Sequence, residues 1–437
     1  MTRLLSFSNG ISLLLLFTFQ AQAQGFSTPE MALKLEHQAS SLRLRLLLPT
    51  FRLDGERAEV LPSVAAENPQ VALSVIEDLI DDGLLQPEIE QFSRALGQAP
   101  LTLAEKIRVL RMSVLSSNTG RFEKKVVKEL QRTLDARTLG DDASTVVFEI
   151  LKAEPILGTR PKWIPLILRV RAEFPDEVRF FEDALSGAYV PPTLDQVRDL
   201  YEQRLGLEAY ASGKYANQPR IFMFCRHKRE YPCRMVMKDR NDQPVYQDAA
   251  HTQLWTQPSL GLGVPGKDFS EHGGYTPSGI HQMDSVMPIA DQTTSFGKFR
   301  RIILNFVTRS KDEKTYKQLL PASNQAAAWW HESVVARDVG RESLRIHGTG
   351  KINQDPMSTF YPFLSTHGCV AKRENKYPES EMPYQDQREL LDQLMVSSEL
   401  DPVFGNEPLI AGLLYVIEID EQAAPVELKD LVKYGIR

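Results

Sequence analysis

The sequence predicts an α+β protein of more than one domain, in which a helical N-terminal half precedes a β-rich C-terminal half. The chain has 437 residues, which is more than one hydrophobic core usually organises. Up to about Tyr210 the apolar residues recur with helical spacing, and strand signals are few. From Pro219 onward apolar runs with strand character replace them. We therefore divide the mature chain into a helical domain, residues 24–215, and a β-rich domain, residues 216–437.

The composition is that of a globular protein. Hydrophobic residues make up 42% of the chain and charged residues 25%, which excludes a fibrous or wholly disordered protein. The 51 Lys and Arg residues against 57 Asp and Glu give a net charge of −6. This balance argues against nucleic acid or an anionic lipid surface as the main partner.

The first 23 residues predict a secretory signal peptide. Arg3 supplies a basic start, Ile11–Phe17 a short apolar region, and Ala21-Gln22-Ala23 a cleavage site of small residues. The apolar region is shorter than the roughly 20 residues that span a bilayer. We expect cleavage after Ala23 and no membrane span in the mature chain, with an uncleaved anchor as the alternative.

The helical half reads as a stack of helical hairpins. Apolar residues follow i, i+3 and i+4 spacing in Val71–Ile80, Leu103–Leu110 and Val126–Leu130. Thr193 is suited to begin the last helix. Helix breakers divide this half at Gly97, Gly120, Gly140, Pro155 and Pro175. No fixed-period repeat is evident, and a protein partner for this half is left open.

Four apolar runs predict the clearest strands of the second half, and they are Ile221–Cys225, Cys233–Met237, Ile302–Val307 and Leu413–Ile419. A polar helical stretch interrupts them at about 315–337 and is expected to pack on the outside of the sheet. It contains Trp329 and Trp330, which we interpret as packing residues, with ligand stacking as the alternative.

Export changes the interpretation of the three cysteines, because an oxidising compartment favours disulfides. Cys225 and Cys233 lie in two strand-like runs joined by a short polar connection, so we predict a disulfide across a hairpin. Cys369 is then the unpaired thiol. The alternative for Cys369 is a buried, unreactive side chain.

A glycine-rich stretch, Gly261–Asp268, matches G-x-G-x-x-G but is interpreted as a loop. A dinucleotide-binding turn must open a helix, and Pro265 with the residues after it gives no helix. A P-loop needs Ser or Thr after its lysine, where this chain has Asp268.

The chemistry concentrates in two short segments, Arg345–Gly350 and Ser365–Val370. A thiol is a good nucleophile near neutral pH when a base takes its proton, and imidazole is the usual base. We expect His347, on a neighbouring strand, to act as base for Cys369. In a strand His367 would share a face with Cys369. Gly368 would let a substrate carbonyl approach backbone N–H groups that stabilise an oxyanion.

These segments resemble the signature of the L,D-transpeptidases of the YkuD type, in which His-Gly is followed by Ser/Thr-His-Gly-Cys. Gly274–Ile280 is similar to the T-P-x-G start of a strand in that family. The resemblance covers roughly Pro219 to Asp420. It implies a β-rich L,D-transpeptidase-like catalytic domain, with Cys369 as nucleophile, His347 as base and the carbonyl of Gly348 orienting the imidazole.

The resemblance further implies a periplasmic enzyme that transfers acyl groups of peptidoglycan stem peptides and needs no metal or organic cofactor. The L,D-amide of a stem tetrapeptide would be the donor. The acceptor stays open among a second stem peptide, a free D-amino acid, a protein lysine and water. Tyr275, Thr366, Lys372 and Arg373 are the expected substrate-binding residues.

Two features depart from the family pattern. His347 and Cys369 are 22 positions apart, a wider spacing than is common, with Asn353–Pro362 as an enlarged loop. Ala371 stands where many relatives carry Arg or Asn. Lys372, Arg373 or Asn375 would then have to take over its supporting role.

Three other hypotheses compete with the acyltransferase hypothesis. A zinc hydrolase would recruit His281, His347, His367 and Cys369, but the chain lacks H-E-x-x-H and C-x-x-C. In a papain-like peptidase the cysteine precedes the histidine, which is the reverse of the order here. The third is a catalytically silent peptidoglycan-binding or scaffolding protein, and an L,D-carboxypeptidase is the nearest enzymatic alternative.

Overall fold

The computed structural model describes residues 101–113, 120–185, 190–202, 215–271, 273–290, 293–308, 313–341 and 344–437. The predicted signal peptide, the breaker Gly97 and the helical segment Val71–Ile80 lie outside these residues. The chain divides into two compact units, the first ending at Glu182 and the second running from Asp183 to Arg437. Each unit is described by itself.

Helices make up the described N-terminal part of the chain. They are α1 (Leu103–Ser113), α2 (Gly120–Ala136), α3 (Ala143–Leu157), α4 (Ile164–Glu173) and α5 (Pro175–Leu185). A capping box begins α1, because Thr102 Oγ1 accepts the N–H of Glu105 while the Glu105 carboxylate accepts the N–H of Thr102. The predicted helices at 103–110 and 126–130 are confirmed. Pro155 was expected to end a helix but lies inside α3.

The helices bury their apolar stripes against one another. Ile107, Leu110, Val126 and Val147 are almost fully buried. Trp163 joins this core, and its indole N–H donates to Glu123 Oε1 at 3.1 Å. The apolar periodicity of this half therefore forms a helical core, as its spacing predicts.

The second unit begins with a further helix, α6 (Leu194–Glu202). Thr193 caps it, since its hydroxyl accepts the N–H of Gln196 and the Gln196 side chain accepts the N–H of Thr193. The predicted helix start at Thr193 is confirmed. The unit boundary at 182 groups α6 with the β-rich part, where it packs against the C-terminal turn Val432–Tyr434. This segment lies before residue 216, on the helical side of the domain boundary that the sequence predicts.

Ten strands follow. They are β1 (Arg220–Arg226), β2 (Cys233–Lys238), β3 (Thr256–Ser259), β4 (Gly279–Val286), β5 (Ile302–Phe306), β6 (Leu344–Gly348), β7 (Val370–Lys372), β8 (Glu374–Asn375), β9 (Tyr384–Gln385) and β10 (Gly412–Asp420). All four predicted strand runs are among them. The described chain is thus mixed α and β, with its helices concentrated toward the N-terminus.

Eight strands form one sheet in the order β3-β2-β1-β10-β4-β5-β6-β7. Its two ends meet, because Leu260, just after β3, exchanges backbone hydrogen bonds of 3.1 and 2.8 Å with Ala371 in β7. The sheet is nearly closed as a result. The remaining strands, β8 and β9, pair separately next to β7.

The sheet encloses an apolar core. Strand β10 is buried over nearly its whole length and lies between β1 and β4. Helix α10 (Asp386–Ser397) fills the interior with Leu390, Leu391, Leu394 and Met395. Leu344, Ile346 and Val370 point into the same core. Neighbouring residues of β6 and β7 must consequently face the other way.

The helical interruption of the second half consists of α8 (Lys314–Gln318), the short turn Ala328–Trp330 and α9 (His331–Asp338), which packs against β4. Trp329 and Trp330 are buried, and both indole N–H groups donate to Asn324. This supports the interpretation of the tryptophan pair as packing residues. Among the described residues, no helix combines the length and apolarity needed to span a membrane.

Candidate active site

The parallel pairing of β6 with β7 places a histidine beside a cysteine. The register matches Ile346 with Val370 and His347 with Ala371, which sets Cys369 across from Arg345. Because side chains alternate along a strand, Arg345 and His347 share the face opposite to the core residue Ile346. Cys369, the residue before β7, lies on that same face.

His347 is held between two partners. Its Nδ1–H donates to the carbonyl oxygen of Gly348 at 2.6 Å. This fixes the tautomer and leaves Nε2 for the other partner, the Cys369 thiol, with which the imidazole shares a hydrogen bond. The expected arrangement of thiol, imidazole and orienting carbonyl is therefore present in the structure.

The surroundings of Cys369 favour its thiolate. Burial alone would raise the pKa of this thiol, but the hydrogen bond and charge of His347 and the nearby Arg345 outweigh it and lower the pKa to about 6. Arg345 contributes both its guanidinium charge and its backbone N–H. A thiol with this pKa is largely ionised at neutral pH, as nucleophilic catalysis requires.

Gly368 makes the sharp approach to Cys369 possible. Its φ of +96° belongs to the region that favours glycine, and a Cβ at this position would overlap the Arg341 guanidinium and the carbonyl of Gly274. The carbonyl oxygen of Gly368 accepts the hydroxyl of Thr276 at 2.9 Å. The strand start around Thr276 thus fixes the turn that presents the cysteine.

His367 occupies the same turn and is exposed. Strand β7 begins only at Val370, so the alternation that would set His367 and Cys369 on one face does not apply. The expectation of a shared strand face was wrong, because the positive φ of Gly368 redirects the chain between the two residues.

Asn375 supports the loop that follows His347. Its side-chain amide donates to the carbonyls of Thr349 and Gly350 at 3.1 and 3.0 Å. Ala371, the departure from the family pattern, instead packs in a small apolar cluster with Leu260 and Phe363. Of the three residues considered as substitutes for a polar group at 371, Asn375 is the one that contacts the His347 loop.

An aromatic ring covers the imidazole. Phe296, at the end of α7 (Thr293–Phe296), meets the His347 ring edge to face with 5.2 Å between ring centroids. The guanidinium groups of Arg301 and Arg345 lie 4.7 and 5.8 Å from the centre of the Phe296 ring. The candidate site is therefore rich in positive charge on the side of Phe296.

Lys372 does not reach this face. Because side chains alternate along β7, Lys372 points into the sheet interior as Val370 does. It is fully buried there, and its ammonium donates to the carbonyl of Pro258 at 2.9 Å. Burial lowers the pKa of Lys372 to about 7. The expectation that Lys372 binds substrate was wrong, because β7 points this side chain away from Cys369.

The other three expected substrate-binding residues have internal partners. The hydroxyl of Tyr275 donates to Glu332 at 3.0 Å. Thr366 donates its hydroxyl to the carbonyl of Cys369 at 2.7 Å and so stabilises the turn. Arg373 forms an ion pair with Asp386 at 2.7 Å. Their roles toward a substrate stay predictions.

The disulfide and the remaining cysteine are also placed. Cys225 and Cys233 are bonded to each other, with Cα atoms 4.4 Å apart at the ends of β1 and β2. Cys369 takes no part in a disulfide and is only 6% exposed. His281, a candidate ligand in the zinc-hydrolase hypothesis, lies in β4, and its Nε2–H donates to the carbonyl of Pro277. Within the described part of the chain, no three His, Cys, Asp or Glu residues are placed to share a metal ion.

Sequence reasoning missed Arg345, Phe296 and Glu374. Arg345 had a usable signal, since it lies two residues before His347 and so shares its strand face. Phe296 and Glu374 had none, because their proximity to His347 depends on how separate segments fold together.

The chain matches no protein-family model, and comparisons with curated proteins and with solved structures returned no significant match.

Proposed function

We propose that the β-rich unit is a cysteine acyltransferase of the L,D-transpeptidase type that acts in the periplasm on peptidoglycan stem peptides. The observation that carries the proposal is the His347 imidazole held between the Gly348 carbonyl and the Cys369 thiol. The sequence of both segments and the nearly closed sheet that presents them support it.

In the first half-reaction the sulfur of Cys369 attacks the carbonyl carbon of the L,D-amide between the third and fourth residues of a stem tetrapeptide. His347 takes the thiol proton and passes it to the amine of the terminal D-amino acid as the C–N bond breaks. Backbone N–H groups at the Gly368 turn stabilise the oxyanion. A thioester and the free D-amino acid result.

The second half-reaction releases the thioester to an acceptor. An amine of another stem peptide gives a cross-link, a free D-amino acid gives exchange, and a protein lysine gives anchoring. Water gives carboxypeptidation. In each case His347 removes a proton from the attacking group and the Cys369 thiolate leaves. We propose transfer to an amine over hydrolysis, since the thiol lies in a largely buried site.

The test is to incubate the purified protein with a disaccharide tetrapeptide ending in D-Ala and to weigh both peptide and protein by mass spectrometry. Loss of D-Ala with dimer formation indicates cross-linking, a monomeric tripeptide indicates hydrolysis, and substitution by added D-amino acid indicates exchange. When the reaction is stopped early, the protein mass should gain one acyl-tripeptide on Cys369.

The Cys369→Ala protein is the matched control and should carry no adduct. An unmodified wild-type protein and unchanged tetrapeptide would contradict the proposal. Binding to intact sacculi under those conditions would favour the silent binding or scaffolding protein instead.

A further inference from the structure

Glu374 is a carboxylate buried against the strand that carries His347. It lies in β8 and is 1% exposed. Two glycines from separate segments make room for it, because a Cβ on Gly348 or on Gly297 would overlap the carboxylate oxygens. Gly348 is the residue after the imidazole, so Glu374 sits directly beside the backbone that orients His347.

The hydrogen bonding of Glu374 is one-sided. Oε2 accepts the backbone N–H of Lys298 at 2.7 Å, and the carboxylate also accepts the N–H of Phe299. Within the described residues Oε1, the oxygen next to Gly348, has no hydrogen-bond partner. Burying a carboxylate with an unused acceptor is costly unless a nearby positive charge compensates.

Charged groups surround His347 from several elements. Arg345 lies on its own strand β6, Cys369 before β7, and Glu374 on β8. Arg301 contacts Phe296, which covers the imidazole, and Lys298 follows the same segment. Arg345 stabilises the thiolate. Glu374 is the carboxylate buried directly beside the backbone of Gly348, the residue after His347.

His347 interacts electrostatically with both Glu374 and Cys369. Burial raises the pKa of Glu374, while the backbone and charge of Lys298 and the charge of His347 act to lower it. The side chains acting most strongly on Cys369 are His347 and Arg345. Both Glu374 and Cys369 thus interact with the His347 imidazole, which links them.

We propose that Glu374 is a positioning residue, whose carboxylate, buried beside the Gly348 backbone that orients His347, acts through the imidazole to hold Cys369 as the thiolate. The inference rests on the proposed function only in taking Cys369 as the nucleophile. Its test is a thiol titration that needs no substrate.

The decisive variant is Glu374→Gln. Glutamine keeps an oxygen that can accept the N–H groups of Lys298 and Phe299, so it preserves the structural contacts and removes the charge. Glu407→Gln is the matched control, because Glu407 is also about 1% exposed and pairs with Arg388, away from His347. Both variants lose one buried carboxylate in the same unit.

The measurement is the rate of Cys369 alkylation by iodoacetamide from pH 4 to 10, which the disulfide confines to one thiol. We expect the Glu374→Gln midpoint to rise by about one unit, with alkylation at pH 6 slowed about fivefold, as for loss of a nearby charge. Glu407→Gln should keep the wild-type midpoint. A wild-type midpoint in folded Glu374→Gln would overturn the proposal, whatever happens to its melting temperature.

If Glu374→Gln does not fold, Glu374→Asp keeps the charge but withdraws it from Gly348. Its midpoint should rise by less than one unit, and an unchanged midpoint would overturn the proposal. The two proposals fail separately. If Glu374→Gln shifts the Cys369 titration but the wild type leaves the tetrapeptide unchanged, the role of Glu374 is supported and the proposed substrate is contradicted. If the wild type turns over the tetrapeptide but Glu374→Gln leaves the titration unshifted, only the role of Glu374 is contradicted.

Discussion

Two histidines occupy the same sheet, His281 in β4 and His347 in β6, with β5 between them. Both are buried, at 0% and 3% exposure. His281 donates to the carbonyl of Pro277 at 2.9 Å and packs against Phe306, while its Nδ1 has no hydrogen-bond partner among the described residues. His347 also donates to a backbone carbonyl, but its second nitrogen faces a thiol.

Burial and a hydrogen bond to a backbone carbonyl are therefore not enough to make a histidine a base. Burial lowers the pKa of His281 to about 4, and the charges of Arg341 and Arg229 add to this effect. His281 is therefore a neutral core side chain at physiological pH. The Cys369 thiol beside His347, and the carboxylate of Glu374 behind it, are what distinguish the second site.

Substitution of the two histidines should have very different consequences for catalytic activity. His347→Ala and Cys369→Ala should each lower the rate of tetrapeptide turnover by at least about a thousandfold, since both belong to one acyl-transfer unit. His281→Gln should keep kcat within severalfold. Equal loss of activity in folded His281→Gln and His347→Ala would remove the distinction.

The next effect separates them by stability in acid. His281 has a folded pKa of about 4 against an ordinary value of 6.5. Below pH 6.5 the unfolded chain takes up a proton that the folded chain refuses, so stability is lost between pH 6.5 and 4. This one group accounts for about 3 kcal/mol of that loss.

Urea unfolding of the wild type and of His281→Gln at pH 7 and pH 4 measures this contribution. The variant should lose about 3 kcal/mol less than the wild type over that interval. His251→Asn is the control, because His251 is exposed, and it should follow the wild type. Identical acid dependence in all three proteins would show that His281 does not titrate as described.

A smaller effect tests the support of the His347 loop. Asn375→Ala removes two hydrogen bonds to the carbonyls of Thr349 and Gly350. We expect kcat to fall about fivefold, because loss of these two hydrogen bonds weakens the positioning of the His347 base by about 1 kcal/mol. Asn406→Ala removes a similar amide-to-carbonyl bond away from the site and should leave kcat unchanged. Equal rates for both variants would contradict the supporting role.

Regular patterns made much of the fold predictable from the sequence. The helices at 103–110 and 126–130, the helix start at Thr193 and the four strand runs follow from apolar spacing and local capping, which are encoded nearby in the chain. The thiol, the imidazole and the orienting carbonyl were predictable because two short segments, 345–350 and 365–370, carry them. The register of β6 with β7 then brought them together.

The errors arose where orientation depends on distant residues. Whether Lys372 faces the site or the core is decided by Val370 packing under α10, and His367 is diverted by one positive φ at Gly368. The position of Glu374 could not be predicted, because its place next to His347 requires glycines at both 297 and 348. No local spacing encodes such a cradle.

Activation of Cys369 by His347 can be measured from the pH dependence of Cys369 alkylation in the wild type and in His347→Ala. The wild-type rate should rise with a midpoint near pH 6. Without the imidazole the midpoint should move to the ordinary range of a thiol, about 8.5 or above in this buried position. A wild-type midpoint already at 8.5, unchanged by His347→Ala, would contradict the account.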